Sequence, residues 1–305
     1  MPLFHDMMMN SLVSSGLPFG LFAGGQGALG SNQTRKYTYS GDSISTGSNL
    51  NTGMSYVGCA GSGTVAIVGG GSTTGLIAGR TALTNKYTYL TDASVGGTSL
   101  TTATLEVAAT GTSTIGYFGA GYTSAQVATM YKYTYSSDGL AAGTSLGTAR
   151  YAHTAFGSNN FAIYAGGLIS GSETASTTKY TYSGDTVAGA TSLGTARQSF
   201  CSSGISTFGF YAGGYVSSTQ QSFTGKYTYS GDTVASGTNL TTARYNHAGT
   251  GSLTVGIFTS GATTAGALTS TEKYTYSGDS VTAGTAYPAS INRGTAPGCT
   301  PAVFT

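Results

Sequence analysis

Three observations predict an all-β chain closed into a six-bladed propeller. The tetrapeptide Lys-Tyr-Thr-Tyr occurs six times, beginning at Lys36, Lys86, Lys132, Lys179, Lys226 and Lys273, at intervals of 50, 46, 47, 47 and 47 residues. A fixed period of that length marks a repeat architecture. Each period holds four short strand-like runs separated by turn chemistry, with no helical periodicity anywhere. Four strands per period, six times over, is the pattern of propeller blades.

Taken in order, residues 1–10 are Met-rich and carry no repeat feature, which reads as an arm or tail. Residues 11–305 read as the propeller, although 11–16 align only weakly with the start of a repeat. The clear signal begins at Gly20, Leu21, Phe22, Ala23, Gly24 and Gly25, an apolar strand ending in two glycines. Its counterparts are residues 66–71, 116–121, 162–167, 209–214 and 256–261. Linkers of varying length follow, at 26–33, 72–85, 122–131, 168–178, 215–225 and 262–272. The Lys-Tyr-Thr-Tyr strand comes next. Tyr and Thr favour a pleated surface, and period 2 puts both Tyr rings on one face and Lys and Thr on the other. Ser-Gly-Asp turns follow in four copies, ending at Asp42, Asp185, Asp232 and Asp279. Gly admits φ > 0 and Asp caps its own backbone. An apolar position succeeds the turn, at Ile44, Val95, Leu140, Val187, Val234 and Val281. A Gly/Thr-rich connection then reaches Thr-Ala-Arg in three repeats, at Arg150, Arg197 and Arg244, and a fourth run such as 247–252 completes the period.

A ring of blades must leave no free edge. Arg293 matches the repeat Arg, so residues 296–305 are expected to pair with 20–25 and complete the first blade. The N- and C-terminal strands would thereby close the propeller. Residues 11–16 compete for the same slot.

Composition narrows the function. A net charge of +2 gives no electrostatic case for nucleic acid or an acidic membrane. No stretch has the roughly 18 continuous apolar residues of a membrane helix, so no membrane insertion is expected. The start lacks the basic n-region and long apolar core of a signal peptide. Cys59, Cys201 and Cys299 are too few and too scattered for a disulfide framework or a zinc site, and read as core thiols.

The charged residues are almost all part of the repeat. Six of the twelve cations are repeat lysines, and Arg150, Arg197, Arg244 and Arg293 hold the repeat Arg position. Six of the ten acids are turn aspartates, which leaves Asp6, Glu106, Glu173 and Glu272. A catalytic cleft concentrates unlike titratable groups, and this chain has few to concentrate. Glu106 is the only acid in an inner-strand region, so a two-carboxylate hydrolase is not indicated. His153 and His247 share a slot that Val57, Val107 and Phe200 fill in other repeats, which makes it a packing slot. No catalytic residue, cofactor or metal site is expected.

Binding is the remaining reading. The variable linkers and the connection carrying Arg emerge on one face, where variation on a rigid scaffold places recognition. Tyr122, Tyr151, Tyr215 and Tyr245, with Arg150, Arg197 and Arg244, are the candidate binding residues there. The alternatives are that the loops are merely permissive, and that the arginines bridge backbone carbonyls between blades.

Two resemblances follow from these motifs. The order of apolar strand, diglycine, linker, strand ending in Tyr, turn, apolar position and Arg resembles the kelch repeat over nearly the whole chain. It departs from kelch where Ile, Val or Leu replaces the large Trp after the turn, so blade packing must rely on the Tyr pairs. Tandem units close to Tyr-Ser-Gly-Asp-Thr-Val resemble those of uncharacterised structural and tail-associated proteins of tailed bacteriophages. That resemblance implies a non-enzymatic virion component: a tail fibre, baseplate, receptor-binding or capsid-decorating propeller made in the host cytoplasm. Its partners would be other virion proteins, or a glycan or protein of the host surface, and homo-oligomerisation stays open. A glycan-binding lectin or glycan-active enzyme is the alternative from another class. Six-bladed sialidases use an arginine cluster, but their Asp-box pattern is absent here.

Overall fold

A computed structural model of the chain describes residues 5–7, 17–25 and 32–288. Six four-stranded antiparallel sheets form six blades. From axis to rim, blade 1 runs His5–Met7, Phe19–Ala23, Thr34–Thr38 and Ser43–Gly47. Blades 2 to 6 repeat the order from Gly58–Gly61, Ala108–Gly111, Thr154–Gly157, Cys201–Ile205 and Ala248–Gly251. These innermost strands each neighbour the next, and His5–Met7 neighbours Ala248–Gly251, which closes the ring. The only helix among the described residues is a single 3-10 turn, Ile77–Gly79.

The tyrosine pairs pack the blades, as the alternation predicts. The first Tyr of each tetrapeptide is buried, with Tyr37, Tyr87, Tyr133 and Tyr180 at 0 % exposure. Both rings face the preceding blade. Tyr182 stacks on Tyr117 at 4.1 Å between centroids, Tyr274 meets Phe210 at 3.9 Å, and Tyr229 meets Phe161 edge-on at 5.3 Å. Between the last blade and the first, Tyr39 Oη donates to the Gly251 carbonyl at 2.7 Å.

The turn aspartates tie each blade to its own core tyrosine and to the preceding blade. In blades 1 to 5 the Tyr hydroxyl donates to the Asp five residues on, as Tyr37 does to Asp42 and Tyr180 to Asp185. Four of these carboxylates also accept a backbone N–H from the preceding blade: Ser48 to Asp92 at 3.1 Å, Thr144 to Asp185 at 3.0 Å, Thr191 to Asp232 at 3.2 Å, and Thr285 to Asp42 at 2.9 Å. Lysines of the preceding blade add charge, with Lys36–Asp92 and Lys132–Asp185 both at 2.8 Å. The lysine and tyrosine thus point to opposite neighbours, which is the period-2 pattern put to use. Hydrogen bonding from Lys132 holds the Asp185 carboxyl below its usual range, and Tyr227 does the same for Asp232.

The turn departs from expectation in one respect. Aspartate, not glycine, takes the left-handed conformation, with φ from 42° at Asp279 to 55° at Asp138 in all six blades. Asp tolerates that region, and its carboxylate there receives the Tyr hydroxyl and the neighbouring N–H while also pairing with a lysine. The same contacts fix the register of blade 2. Tyr87 pairs with Ser94 and Lys86 with Val95, so Val95 does not hold the apolar position expected of it. One step along a strand turns a side chain to the other face, and Val95 is 57 % exposed.

Closure also differs from expectation. His5–Met7, in the stretch expected to be an arm, pairs antiparallel with Phe19–Ala23 in the register His5 to Ala23. All four strands of blade 1 therefore come from residues 5–47, and the slot assigned to 296–305 or 11–16 is taken. Both of those segments lie outside the described residues. The physical reason is proximity along the chain. Pairing 5–7 with 19–23 closes a short loop, whereas a C-terminal strand would have to return across the whole ring. Blade 6 meets blade 1 through side chains instead, including Tyr287 edge-on to Phe22 at 6.1 Å. Removing the chain through Met7 should lower the melting temperature by several degrees, because it strips an inner strand and bares the edge of Phe19–Ala23. Removing 296–305 should shift it less. The opposite ranking in thermal melts would return the slot to the C-terminus.

Candidate binding site

The loop face is organised by the diglycine and the residue at the Arg position. The second glycine donates its N–H across to the next blade: Gly71 to the Thr104 carbonyl at 2.7 Å, and Gly121, Gly167 and Gly214 to Arg150, Arg197 and Arg244, each at 2.8 Å. A Cβ on Gly71 would sit 2.2 Å from the Ser55 carbonyl oxygen, and its φ is +87°, so glycine is required twice over. The first position is less demanding and accepts Ala120 and Ser260.

The three arginines expected on this face are buried, at 1 %, 1 % and 0 % exposure for Arg150, Arg197 and Arg244. Arg150 donates to the carbonyls of Gly166 at 3.1 Å and Ser176 at 2.8 Å. Arg244 donates to those of Ser260 and Ser270 and pairs with Glu272. Arg197 donates to the Gly213 carbonyl and lies 4.5 Å over the Phe223 ring. Their own carbonyls hold the previous blade, so each arginine bridges two blades and presents no charge to a ligand. Burial lowers the pKa of Arg150 and Arg197 to about 10. Their regular recurrence in the sequence favours this bridging role over a ligand-binding cluster, and the burial agrees with it.

The four tyrosines do come together, as two pairs. Tyr122 and Tyr151 stand 5.2 Å apart between centroids, and Tyr215 and Tyr245 stand 4.2 Å apart. Each pair lines a cleft. The first, of about 370 Å³, is walled by Tyr56, Leu76, Ile77, Leu105, Glu106, Tyr122 and Tyr151. The second, of about 280 Å³, is lined by Gln198, Ser199, Tyr215, Ser218, Tyr245 and Asn246. The tyrosine pattern marked these places in the sequence, but Leu76 and Ile77 carried no signal. They sit at the 3-10 turn that the blade 2 linker forms where blades 4 to 6 have small hairpins.

The linkers of blades 3 to 6 bond to one another. Gln126 accepts from the Ser170 N–H at 2.7 Å, Glu173 from the Ser217 N–H at 2.8 Å, and Gln220 donates to Thr264 at 3.3 Å. At the mouth of the axis a ring of left-handed residues runs through Tyr56, Glu106, Ala152, Ser199 and Asn246. Backbone bonds link them: Glu106 N–H to the Tyr56 carbonyl, Ser199 to Ala152, and Asn246 to Ser199. Glu106 is 4 % exposed. Burial, then the negative field of Glu106, raises the pKa of the Tyr151 hydroxyl.

Among the described residues no group of three or more His, Cys, Asp and Glu is placed to hold a metal. Cys59 and Cys201 are buried and in no disulfide, and Cys299 lies outside the described residues. No described helix is long and apolar enough to cross a membrane. His153 and His247 are core residues, 0 % and 1 % exposed, beside Tyr164 and Phe258. No protein-family model and no curated protein matches the chain.

Two stability predictions follow from these buried groups. Burial, reinforced by Arg150, depresses His153 to about 3, and burial drives His247 well below its ordinary value. From about pH 6.5 downward the unfolded chain therefore binds more protons than the folded one. Stability should fall as pH drops through that window, measured by urea melts at about pH 7.5 and pH 5. Replacing both histidines with Val, which the slot accepts at Val57 and Val107, should flatten the slope; an equal slope would mean that the rings protonate in place. Separately, Glu272→Gln leaves the Arg244 charge buried without its counter-ion, and should cost about 3 kcal/mol in the same melts.

Proposed function

We propose that this chain is a non-enzymatic binding propeller that works as part of a larger assembly. One observation carries the reading: the titratable side chains are engaged in holding the blades together. The aspartates receive the neighbouring blade, the arginines clamp carbonyls, and Glu173 and Glu272 are bonded across blades. Glu106 lines an open cleft in which no second carboxylate shares the wall. General acid–base work needs an acid, a base and an orienting group in one place. What the loop face offers instead is paired tyrosines on a rigid rim, chemistry suited to recognition.

The repeat unit's resemblance to tailed-phage proteins supports reading the assembly as a virion, with the chain as a tail fibre, baseplate, receptor-binding or capsid-decorating component, and the blade order fits a kelch-like relation. A lectin is the second reading, favoured by the Tyr215–Tyr245 pair beside Gln198 and Asn246. Aromatic faces stack on sugar rings while amides bond hydroxyls. Antibody labelling of purified particles should find the propeller on the virion, and its absence from them would remove the assembly reading. A glycan panel should show no turnover; hydrolysis lost in Glu106→Gln would establish an enzyme instead.

A further inference from the structure

We propose that the cleft at Glu106 takes a basic side chain of a protein partner, an arginine or lysine. Its charge would lie among the Tyr56, Tyr122 and Tyr151 rings and the Glu106 carboxylate, and its aliphatic stem against Leu76 and Ile77. The inference rests on the binding reading and names the ligand of one cleft.

Four observations carry it. First, the acid at position 106 is not part of the repeat. The equivalent places in the mouth ring hold Tyr56, Ala152, Ser199 and Asn246, and the bond that defines the ring is made by the backbone. Second, three tyrosines share the cleft with that carboxylate. Ring faces are the negative part of an aromatic quadrupole, so rings and carboxylate favour the same guest, a cation. Third, Leu76 and Ile77 are 64 % and 59 % exposed at the opposite wall. Basic side chains lay their methylene stems on such surfaces while the charged head reaches a partner. Fourth, the volume of about 370 Å³ lies near the lower end of ligand sites, which suits one inserted group. The Tyr215–Tyr245 cleft is an internal contrast, because Gln198, Ser199 and Asn246 make it neutral.

The test is an NMR titration of the full chain with N-acetyl-arginine methylamide. N-acetyl-citrulline methylamide, of the same shape without the charge, and N-acetylglucosamine are the comparison probes. The arginine compound should bind about tenfold or more tightly than citrulline, as expected of a charge-assisted contact. Glu106→Gln should bring the two together. Tyr151→Leu should weaken arginine binding with the melting temperature unchanged, and Tyr215→Ala should leave it alone. Citrulline binding as tightly as arginine, or no saturable arginine binding, overturns the proposal. So does a preference for N-acetylglucosamine. The citrulline comparison uses the unaltered chain, so it decides even where a variant misfolds. None of these outcomes touches whether the protein is on the virion, and absence from the virion would leave the cleft's preference intact.

Discussion

The carboxylate of the turn aspartate is the contact on which the ring depends. It sits in a left-handed turn of its own blade and receives that blade's buried tyrosine hydroxyl. It then reaches outward, accepting a backbone N–H and a lysine from the blade before. One residue therefore fixes a turn, anchors a core aromatic and sets the spacing between blades. The contact passes through Asp42, which accepts from Thr285 and feels the charge of Lys273, so the same device joins the last blade to the first. Six modest interactions in a closed ring hold one another in place, because no blade can shift without disturbing two neighbours.

This explains why so much of the fold was legible. The tetrapeptide states its own geometry: alternation sends the tyrosines one way and the lysine the other, and an aspartate five residues after the first Tyr meets its hydroxyl. The diglycine was legible for the same reason, since the second glycine lies too close to a neighbouring carbonyl to be anything else. What was not legible depended on relations beyond the repeat. Val95 sits one residue late, and only the fixed pairing of Tyr87 and Asp92 reveals that it faces out. The inner strand at His5–Met7 shares no motif with the other five, and its place is set by its backbone pairing with Phe19–Ala23.

The functional face was half legible, and the division has a physical basis. Aromatic residues at linker starts announce themselves, because a tyrosine beside a turn has no core to fill. Arg150, Arg197 and Arg244 are ambiguous one at a time, since a guanidinium can satisfy several carbonyls in a dry joint as well as it can grip an anion, and it is their recurrence that favours the joint. Their burial decides, and it assigns them to the joint. The histidines were readable because their slot also holds Val57, Val107 and Phe200, and a position that tolerates such exchange is set by packing.

In a repeat protein most residues that serve the fold recur, although Glu272 serves it only once, as the partner of Arg244; a residue outside the repeat that lines a cleft is placed to meet a ligand. Glu106 is such a residue, as are Leu76 and Ile77 on the blade 2 linker, which winds into a 3-10 turn. The surroundings are already fixed. Backbone bonds hold the mouth ring, and side chains bond linker to linker from blade 3 to blade 6. A cleft held this way loses little conformational freedom when it is filled, so even a few contacts with a partner are not cancelled by the entropy of ordering the site. A chain with so little free charge can therefore still recognise with selectivity. Its regular part supplies rigidity, and the irregular part that rigidity supports supplies the discrimination.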